Sequence, residues 1–379
     1  MKLYCFLIQF VPLCTCSDFR HNSFTFYLID LTGPLSEDFY YRLLLQTFIK
    51  KLSVNIMTTA NYGLEPNTPN NLSSQPLYFS GAAKGLFAVV LFAMTVPMTK
   101  LALPFFSAEL IASSRAFIAG LLALAVIIAN GWSLPDKKTL AWLALAGTGV
   151  VVGFPYLLSY SLINLSAANM GVVLAGLPLM TSVFAVFIMK ERNGLRFWVS
   201  SGFGGLLLLV YFLNGASSSG WDLQTLSILF LVLLFGGLGY SAGAKAAKSI
   251  GGWQTICWML VLYLPLSSIS IGYHTGSEAF INNMTQAMND PGQQGELWIS
   301  IAGLLYLAVV SQWWGFRFWY QAMAEAGAGR ISQIQLLQPF FTLLFAVIFL
   351  SEVFEISQLI FAGLIVLAIC SALRSKRKS

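Results

Sequence analysis

Three polar side chains within long apolar stretches are the residues of this sequence best suited to bind a ligand. Arg115 stands in the run SSRAFIAG, about eight residues into an apolar segment. Gln335 and Gln338 stand three residues apart in the run SQIQLLQP, so they share one face of a helix. A guanidinium in apolar surroundings binds a carboxylate or another anion, and two amides offer both donors and acceptors beside it. We therefore predict that these three residues bind a ligand.

Each of these residues also has a structural interpretation. Arg115 would be satisfied by Glu109 in the same segment, by backbone carbonyls, or by extending towards the membrane surface. The glutamines would be satisfied by hydrogen bonds between helices, which contribute only about 0.6 kcal/mol on average within a membrane.

Aromatic residues and prolines form a second set of candidates. Four aromatic residues could line a cavity, with packing or an interfacial belt as the alternative: Tyr156, Tyr160, Trp313 and Trp314. Pro178 and Pro339 each remove one helical hydrogen bond, and they are predicted to act either as hinges or as fixed kinks.

The composition indicates an all-α integral membrane protein. Of the 379 residues, 57% are hydrophobic and only 9% are charged, whereas soluble domains carry about 25% charged residues. Apolar runs of about 20 residues recur, which is the length that spans a bilayer core. The positive net charge is interpreted as the basic excess of cytoplasmic loops, so no nucleic-acid partner is predicted.

The reactive residue types predict no metal site, cofactor or disulfide framework. The five cysteines include no CxxC pair, and His21 and His274 are far apart in the sequence. No GxxxxGK[ST] loop is present, so direct use of ATP is not predicted.

The apolar runs predict ten transmembrane helices, connected mostly by short loops. We expect them at 85–103, 107–129, 140–161, 168–189, 196–213, 224–243, 253–272, 297–316, 331–350 and 357–373, with a polar loop at 273–296. With both termini in the cytoplasm, fourteen Lys and Arg residues lie at cytoplasmic ends, and only Lys100 lies at the opposite ends. This asymmetry predicts a multi-pass protein of the bacterial inner membrane with cytoplasmic N- and C-termini.

Two halves of the membrane region repeat. The pattern of Pro178, the run FAV at 184–186 and Glu191 recurs 161 residues later as Pro339, FAV at 345–347 and Glu352. Residues 84–214 and 215–379 would each hold five helices, and because five is odd the second repeat is inverted. Gln335 and Gln338 correspond to leucines at 174 and 177, so the repeated scaffold itself does not require their polarity, which favours ligand binding.

On these features the chain resembles the EamA-type branch of the drug/metabolite transporter superfamily. The resemblance rests on the two repeats, on Pro-x(12)-Glu at Pro178–Glu191 and Pro339–Glu352, and on Arg115 in the second helix. The first helix departs from it, with LFAMTVPMTK where many relatives have a Trp-Gly pair. The resemblance implies a secondary transporter that exports amino acids, related metabolites or drugs by alternating access around a midplane cavity.

Other function classes remain as alternatives. A membrane-embedded enzyme would need a nucleophile or acid–base group, and no Gly-x-Ser-x-Gly, His/Asp cluster or acidic pair lies in the helices, so an enzyme is not predicted. A receptor or channel would gain little from an inverted repeat. The expected partners are a small-molecule substrate and the lipid bilayer, and the spacing Gly149-xxx-Gly153 permits either close helix contacts within the fold or a homodimer.

Residues 1–83 are predicted to be an extension outside the membrane domain. The first 20 residues resemble a weak signal peptide, whereas Met57 opens a polar, Asn- and Pro-rich stretch typical of an ordinary cytoplasmic tail. The second pattern favours a start at Met57.

Overall fold

Helices make up almost all of the part of the chain that the computed structural model describes. It describes residues 75–189, 195–218, 221–326, 331–332, 334–353 and 355–373, and none of these is in a β-strand. Most of the N-terminal extension, Glu191 and the basic tail from Arg374 lie outside the described residues, so their interpretations stay predictions.

Seven helices of the described residues are long and apolar enough to cross a membrane. They span Ser80–Ala102, Ala108–Asn130, Lys137–Asn164, Ala167–Ile188, Leu223–Ile250, Gly252–Thr275 and Pro291–Ala326. Shorter apolar helices lie at Gly202–Asn214, Gln335–Leu350 and Ile356–Leu367. The prediction of an all-helical, multi-pass membrane protein is thereby confirmed.

Some of the seven long spans contain breaks, so the regular segments are named separately. They are α1 (Gln75–Ala93), α2 (Thr95–Ala102), α3 (Ala108–Asn130), α4 (Lys137–Gly147), α5 (Phe154–Asn164), α6 (Ala167–Leu174), α7 (Leu177–Met189), α8 (Leu195–Ser218), α9 (Leu223–Ile250), α10 (Gly252–Thr275), α11 (Glu278–Asn289), α12 (Pro291–Leu305), α13 (Phe316–Ala326), α14 (Gln338–Leu350) and α15 (Ile356–Leu373). Two π-helical segments, π1 (Thr148–Gly153) and π2 (Tyr306–Gly315), join α4 to α5 and α12 to α13.

The prediction of a polar loop at 273–296 is wrong. Helix α11 occupies half of it, and α12 begins before the predicted start of its span. Ser277 caps α11 by accepting a hydrogen bond from the Phe280 N–H at 3.3 Å, and Asp290 caps α12. Phe280 and Met284 lie one turn apart and pack against an apolar cluster of the membrane helices. The polar composition of 273–296 therefore did not indicate that α11 has an apolar face.

The irregular segments occupy matching positions in the two halves. Adding 161 to the range 148–153 of π1 gives 309–314, which lies within π2. The break between α6 and α7 falls at 175–176, and the same shift places it in the 3₁₀ turn Gln335–Leu337 that precedes α14. Both breaks come just before the repeated prolines, Pro178 and Pro339. The backbone therefore carries the repeat that the sequence shows.

The helix containing π1 crosses α9 at very close range. A Cβ atom on Gly149 would lie 2.6 Å from the Phe235 carbonyl oxygen and 2.7 Å from the Gly239 Cα. Only glycine permits this approach, and the prediction of close helix contacts at these small residues is confirmed.

Glu352 ties the end of α14 to the start of α6. Its two carboxylate oxygens accept hydrogen bonds from the backbone N–H groups of Ala167 (3.0 Å) and Ala168 (3.1 Å). A carboxylate at a helix N-terminus satisfies unpaired donors and opposes the positive end of the helix dipole. Glu352 therefore caps a helix that is distant from it in the sequence.

Replacing Gly149 with alanine should destabilise the protein by about 1–3 kcal/mol, because the new methyl group must push two backbones apart. The melting temperature of purified protein in detergent measures the loss. Gly363→Ala in α15 is the matched control, since a Cβ there meets nothing within 4 Å. An equal loss in both variants would contradict the close crossing.

Replacing Glu352 with glutamine should lower stability by about 0.5–2 kcal/mol, because the neutral amide offers one acceptor where the carboxylate offers two. Thermal unfolding checks this, with the exposed Glu296→Gln as the control for loss of a carboxylate. If the two variants melt together with the wild type, the cap does not contribute to stability.

Candidate functional site

Arg115 is a buried cation without an acidic partner. Its side chain is 1% exposed, and its Nη2 donates a hydrogen bond to the Ser311 Oγ at 3.3 Å. Its Nε and Nη1 have no hydrogen-bond partner. Among the described residues no carboxylate forms an ion pair with Arg115, and Glu109 lines a different cavity, together with Tyr156. A buried charge without a counter-ion is strongly unfavourable, so an anion bound beside Arg115 would be stabilised.

Buried polar side chains from several helices surround this guanidinium. The Ser311 Oγ lies 2.8 Å from the Thr95 Oγ1. The Gln335 Nε2 donates to the Gln338 Oε1 at 3.2 Å, and Gln338 lines the same cavity as Tyr240. We name these six residues the Arg115 cluster: Thr95, Arg115, Tyr240, Ser311, Gln335 and Gln338. All six are at most 4% exposed. Arg115 and Gln338 line one cavity and Gln335 bonds Gln338, so the structure brings Arg115 and both predicted glutamines together.

A narrow cavity lies at the Arg115 cluster. Its walls are formed by Phe92, Thr95, Val96, Arg115, Phe154, Leu158, Leu174, Tyr240, Ser311, Phe316 and Gln338. Its free volume is about 10 Å³, and a single water needs about 10–15 Å³. The site is closed in this conformation, and a metabolite enters only if the helices move apart.

Gln312 connects the two π-helical segments. Its Nε2 donates to the Val150 carbonyl oxygen at 3.2 Å, and the side chain is completely buried. Its Oε1 has no partner, as is also true of the Gln335 Oε1. The Arg115 cluster and Gln312, the neighbour of Ser311 in the chain, thus hold donors and acceptors without partners, which is the polar pattern of a ligand site without its ligand.

The predicted tyrosines lie beside a different cavity. Tyr156 and Glu109 line a cleft of about 220 Å³ between α3, the π1 region and α10. The Tyr160 ring packs against Tyr156 with 6.1 Å between the ring centres. Neither tyrosine lines the cavity at Arg115.

The predicted tryptophans are grouped around another arginine. Trp313 and Trp314 pack against Trp253, with ring centres 5.3 Å and 6.4 Å from it. The Arg317 guanidinium lies over the Trp253 and Trp314 rings. These tryptophans do not line the cavity at Arg115, and their role as substrate contacts stays a prediction.

The two prolines lie in the first turns of α7 and α14, immediately after the helix breaks. Pro97 in α2 likewise removes a backbone hydrogen bond. It lacks the N–H that would bond the Ala93 carbonyl four residues earlier. The Thr342 Oγ1 of α14 donates to this carbonyl at 3.3 Å. A side chain of the second half thus satisfies a backbone group of the first.

Sequence reasoning missed four residues of the site: Thr95, Tyr240, Ser311 and Gln312. The signal for two of them was present, since Ser311-Gln312 interrupts the apolar run YLAVVSQWWG. Tyr240 gave no signal, because a single tyrosine in an apolar helix usually serves in packing.

Comparison with known proteins identifies the family of this chain. The model of the EamA-like transporter family matches residues 79–213 and again residues 226–374. The chain belongs to the EamA-like transporter family. It is 34% identical to the uncharacterized transporter YdeK of Bacillus subtilis over 275 residues, covering 72% of this chain and 90% of that protein. It is 25% identical to a chloroplastic WAT1-related protein of Arabidopsis thaliana, covering 78% of this chain and 66% of that protein.

A solved crystal structure shares the fold of this EamA-like protein. The two align with a TM-score of 0.52 at 16% identity, covering 78% of this chain and 98% of the other. One family match covers the half that contains π1, and the other covers the half that contains π2. The Arg115 cluster draws residues from both matched segments.

Replacing Thr342 with valine should destabilise the protein by about 1–3 kcal/mol, because the Ala93 carbonyl then lacks any donor. Valine keeps the shape of threonine, so packing is preserved. Thermal unfolding measures the loss, and the control is Thr285→Val, since the exposed Thr285 hydroxyl bonds only a carbonyl of its own helix. Similar melting temperatures for the two variants would contradict this role of Thr342.

Proposed function

We propose that this protein is a secondary transporter that exports small organic metabolites with an anionic group, such as amino acids and related acids. The single observation that carries the proposal is the buried Arg115, which has two unpartnered nitrogens and no carboxylate partner. A substrate carboxylate would supply the missing counter-charge, and its other polar groups would donate to the free oxygens of Gln312 and Gln335.

The proposed architecture is ten transmembrane helices in two inverted five-helix repeats. Its support is the seven long and three shorter apolar helices together with irregular segments at matching positions of the two halves. Interrupted helices at corresponding positions of two repeats are a mark of transporter binding sites. The distribution of Lys and Arg favours cytoplasmic termini in a bacterial plasma membrane.

The proposed mechanism is alternating access around the Arg115 cluster. The closed cavity of about 10 Å³ must open to admit a metabolite. At the end of the bundle proposed to be cytoplasmic, the Lys84 Nζ contacts both oxygens of Glu325 at 2.7 and 2.8 Å, which ties α1 to α13. At the other end, Glu352 ties α14 to α6. Releasing one tie while the other holds would expose the cluster to one side at a time.

A thermal-stability screen with Arg115 variants tests the substrate class. Purified protein would be heated with amino acids, dicarboxylates, nucleobases, sugars and cationic drugs. A ligand at 100 times its dissociation constant adds about 2.7 kcal/mol of stability. We expect an anionic compound to raise the melting temperature of the wild type. Arg115→Gln should abolish that rise, and Arg115→Lys should retain part of it, because lysine keeps the charge without the planar fork.

The control variant is Lys138→Gln, which removes an exposed positive charge away from the cluster and should respond as the wild type does. Without ligand, Arg115→Gln should be as stable as the wild type or more stable, because it removes an unpaired buried charge. A melting shift that is produced by sugars or cationic drugs and survives Arg115→Gln would refute the anion site.

A further inference from the structure

Arg317 lies outside the Arg115 cluster, and its guanidinium contacts aromatic rings. It is the second residue of α13, and its Cζ lies 4.2 Å from the centre of the Trp253 ring and 4.8 Å from that of Trp314. Trp253 is the second residue of α10, directly after the turn at Gly251 that ends α9. The guanidinium therefore lies near the level where the chain turns back at one end of the bundle.

No described carboxylate neutralises the charge of Arg317. Its Nε is buried and has no hydrogen-bond partner. Within the described part of the chain, no carboxylate lies within ion-pair distance of it. The aromatic faces attract the cation, but they cannot accept the in-plane hydrogen bonds that a guanidinium donates. Acceptor oxygens from outside the protein would complete the hydrogen bonding of this guanidinium.

An outward-facing aromatic surface adjoins this guanidinium. Trp314 is 37% exposed and Phe87 is 49% exposed. Phe318 lies between them, stacked on Trp314 with 5.8 Å between ring centres and edge-on to Phe87 at 5.0 Å. Exposed apolar rings on a membrane-spanning helix face acyl chains, and tryptophan is enriched at the headgroup level.

We propose that Arg317, Trp253 and Trp314 form a binding site for an anionic phospholipid. The headgroup phosphate would accept hydrogen bonds from the guanidinium, and an acyl chain would lie along Phe318 and Phe87. Arginine suits this role because its planar donors match phosphate oxygens and its faces stack on aromatic rings. The apolar surface beside the charge favours a lipid over a free phosphate. Assignment of the site to the cytoplasmic leaflet rests on the proposed orientation, but lipid binding itself does not.

Native mass spectrometry of the purified full chain tests this site. The protein would be titrated with phosphatidylglycerol and, separately, with phosphatidylcholine of the same acyl chains. We expect tighter binding of phosphatidylglycerol by the wild type. Arg317→Gln should weaken it about fivefold, which is the usual effect of one basic residue on binding to anionic lipid. Arg317→Lys and Trp253→Leu should each weaken it by less.

Lys248→Gln is the matched control, since Lys248 is an exposed lysine at the end of α9, close in sequence to the same turn. It should leave the difference between the two lipids within twofold of the wild type. Unchanged binding in Arg317→Gln would overturn the proposal. An equal loss in Lys248→Gln would also overturn it, because diffuse positive charge would then explain the preference.

A soluble competitor distinguishes the source of the phosphate. Glycerol 3-phosphate at millimolar concentration should not displace the lipid, because it lacks the acyl chains that would contact Phe318 and Phe87. Displacement would overturn the assignment to a lipid. No transported substrate takes part in these measurements, so a failed anion site at Arg115 and a failed lipid site at Arg317 give separate results.

Discussion

One buried positive charge constrains the centre of this protein. Arg115 lies within a bundle of apolar helices and donates one hydrogen bond to the hydroxyl of Ser311, while its Nε and Nη1 have no hydrogen-bond partner. Such an arrangement is unfavourable in a closed apolar interior, and it becomes favourable when an anion arrives. Because the cavity holds no more than about one water, an anion can neutralise Arg115 only if the helices also move apart. Binding and conformational change are thus linked by the same charge.

Backbone hydrogen bonding sets a second constraint. Within a bilayer an unpaired carbonyl has no water to accept, so each helix irregularity needs a partner. Here the partners cross between halves, since Thr342 bonds the Ala93 carbonyl and Gln312 bonds the Val150 carbonyl. The contacts that satisfy the irregular backbone are therefore also contacts that hold the halves together. A movement between the halves must break or exchange these hydrogen bonds, so it must involve the irregular segments.

The two halves share a scaffold but differ in their polar lining. The π-helical segments and the breaks before Pro178 and Pro339 recur at a shift of 161 residues. The side chains do not follow this symmetry, because Gln335 and Gln338 occupy positions that are leucines in the first half. The repeat supplies irregular segments of the same kind in both halves, whereas these glutamines are present in one half only. A ligand held at Arg115 would contact both halves at the same time.

Local sequence determined the helical class, the positions of most helices, the repeat and the presence of Arg115, Gln335 and Gln338 in apolar surroundings, because hydropathy and proline act over a few residues. It misassigned 273–296, where composition hid the face formed by Phe280 and Met284. Only tertiary structure decided that the three polar residues meet, that Tyr240 joins them, that Trp253 and Trp314 lie against Arg317, and that Glu352 caps a helix 185 residues away. These outcomes depend on contacts between segments distant in the chain, and no local pattern specifies which helix faces which.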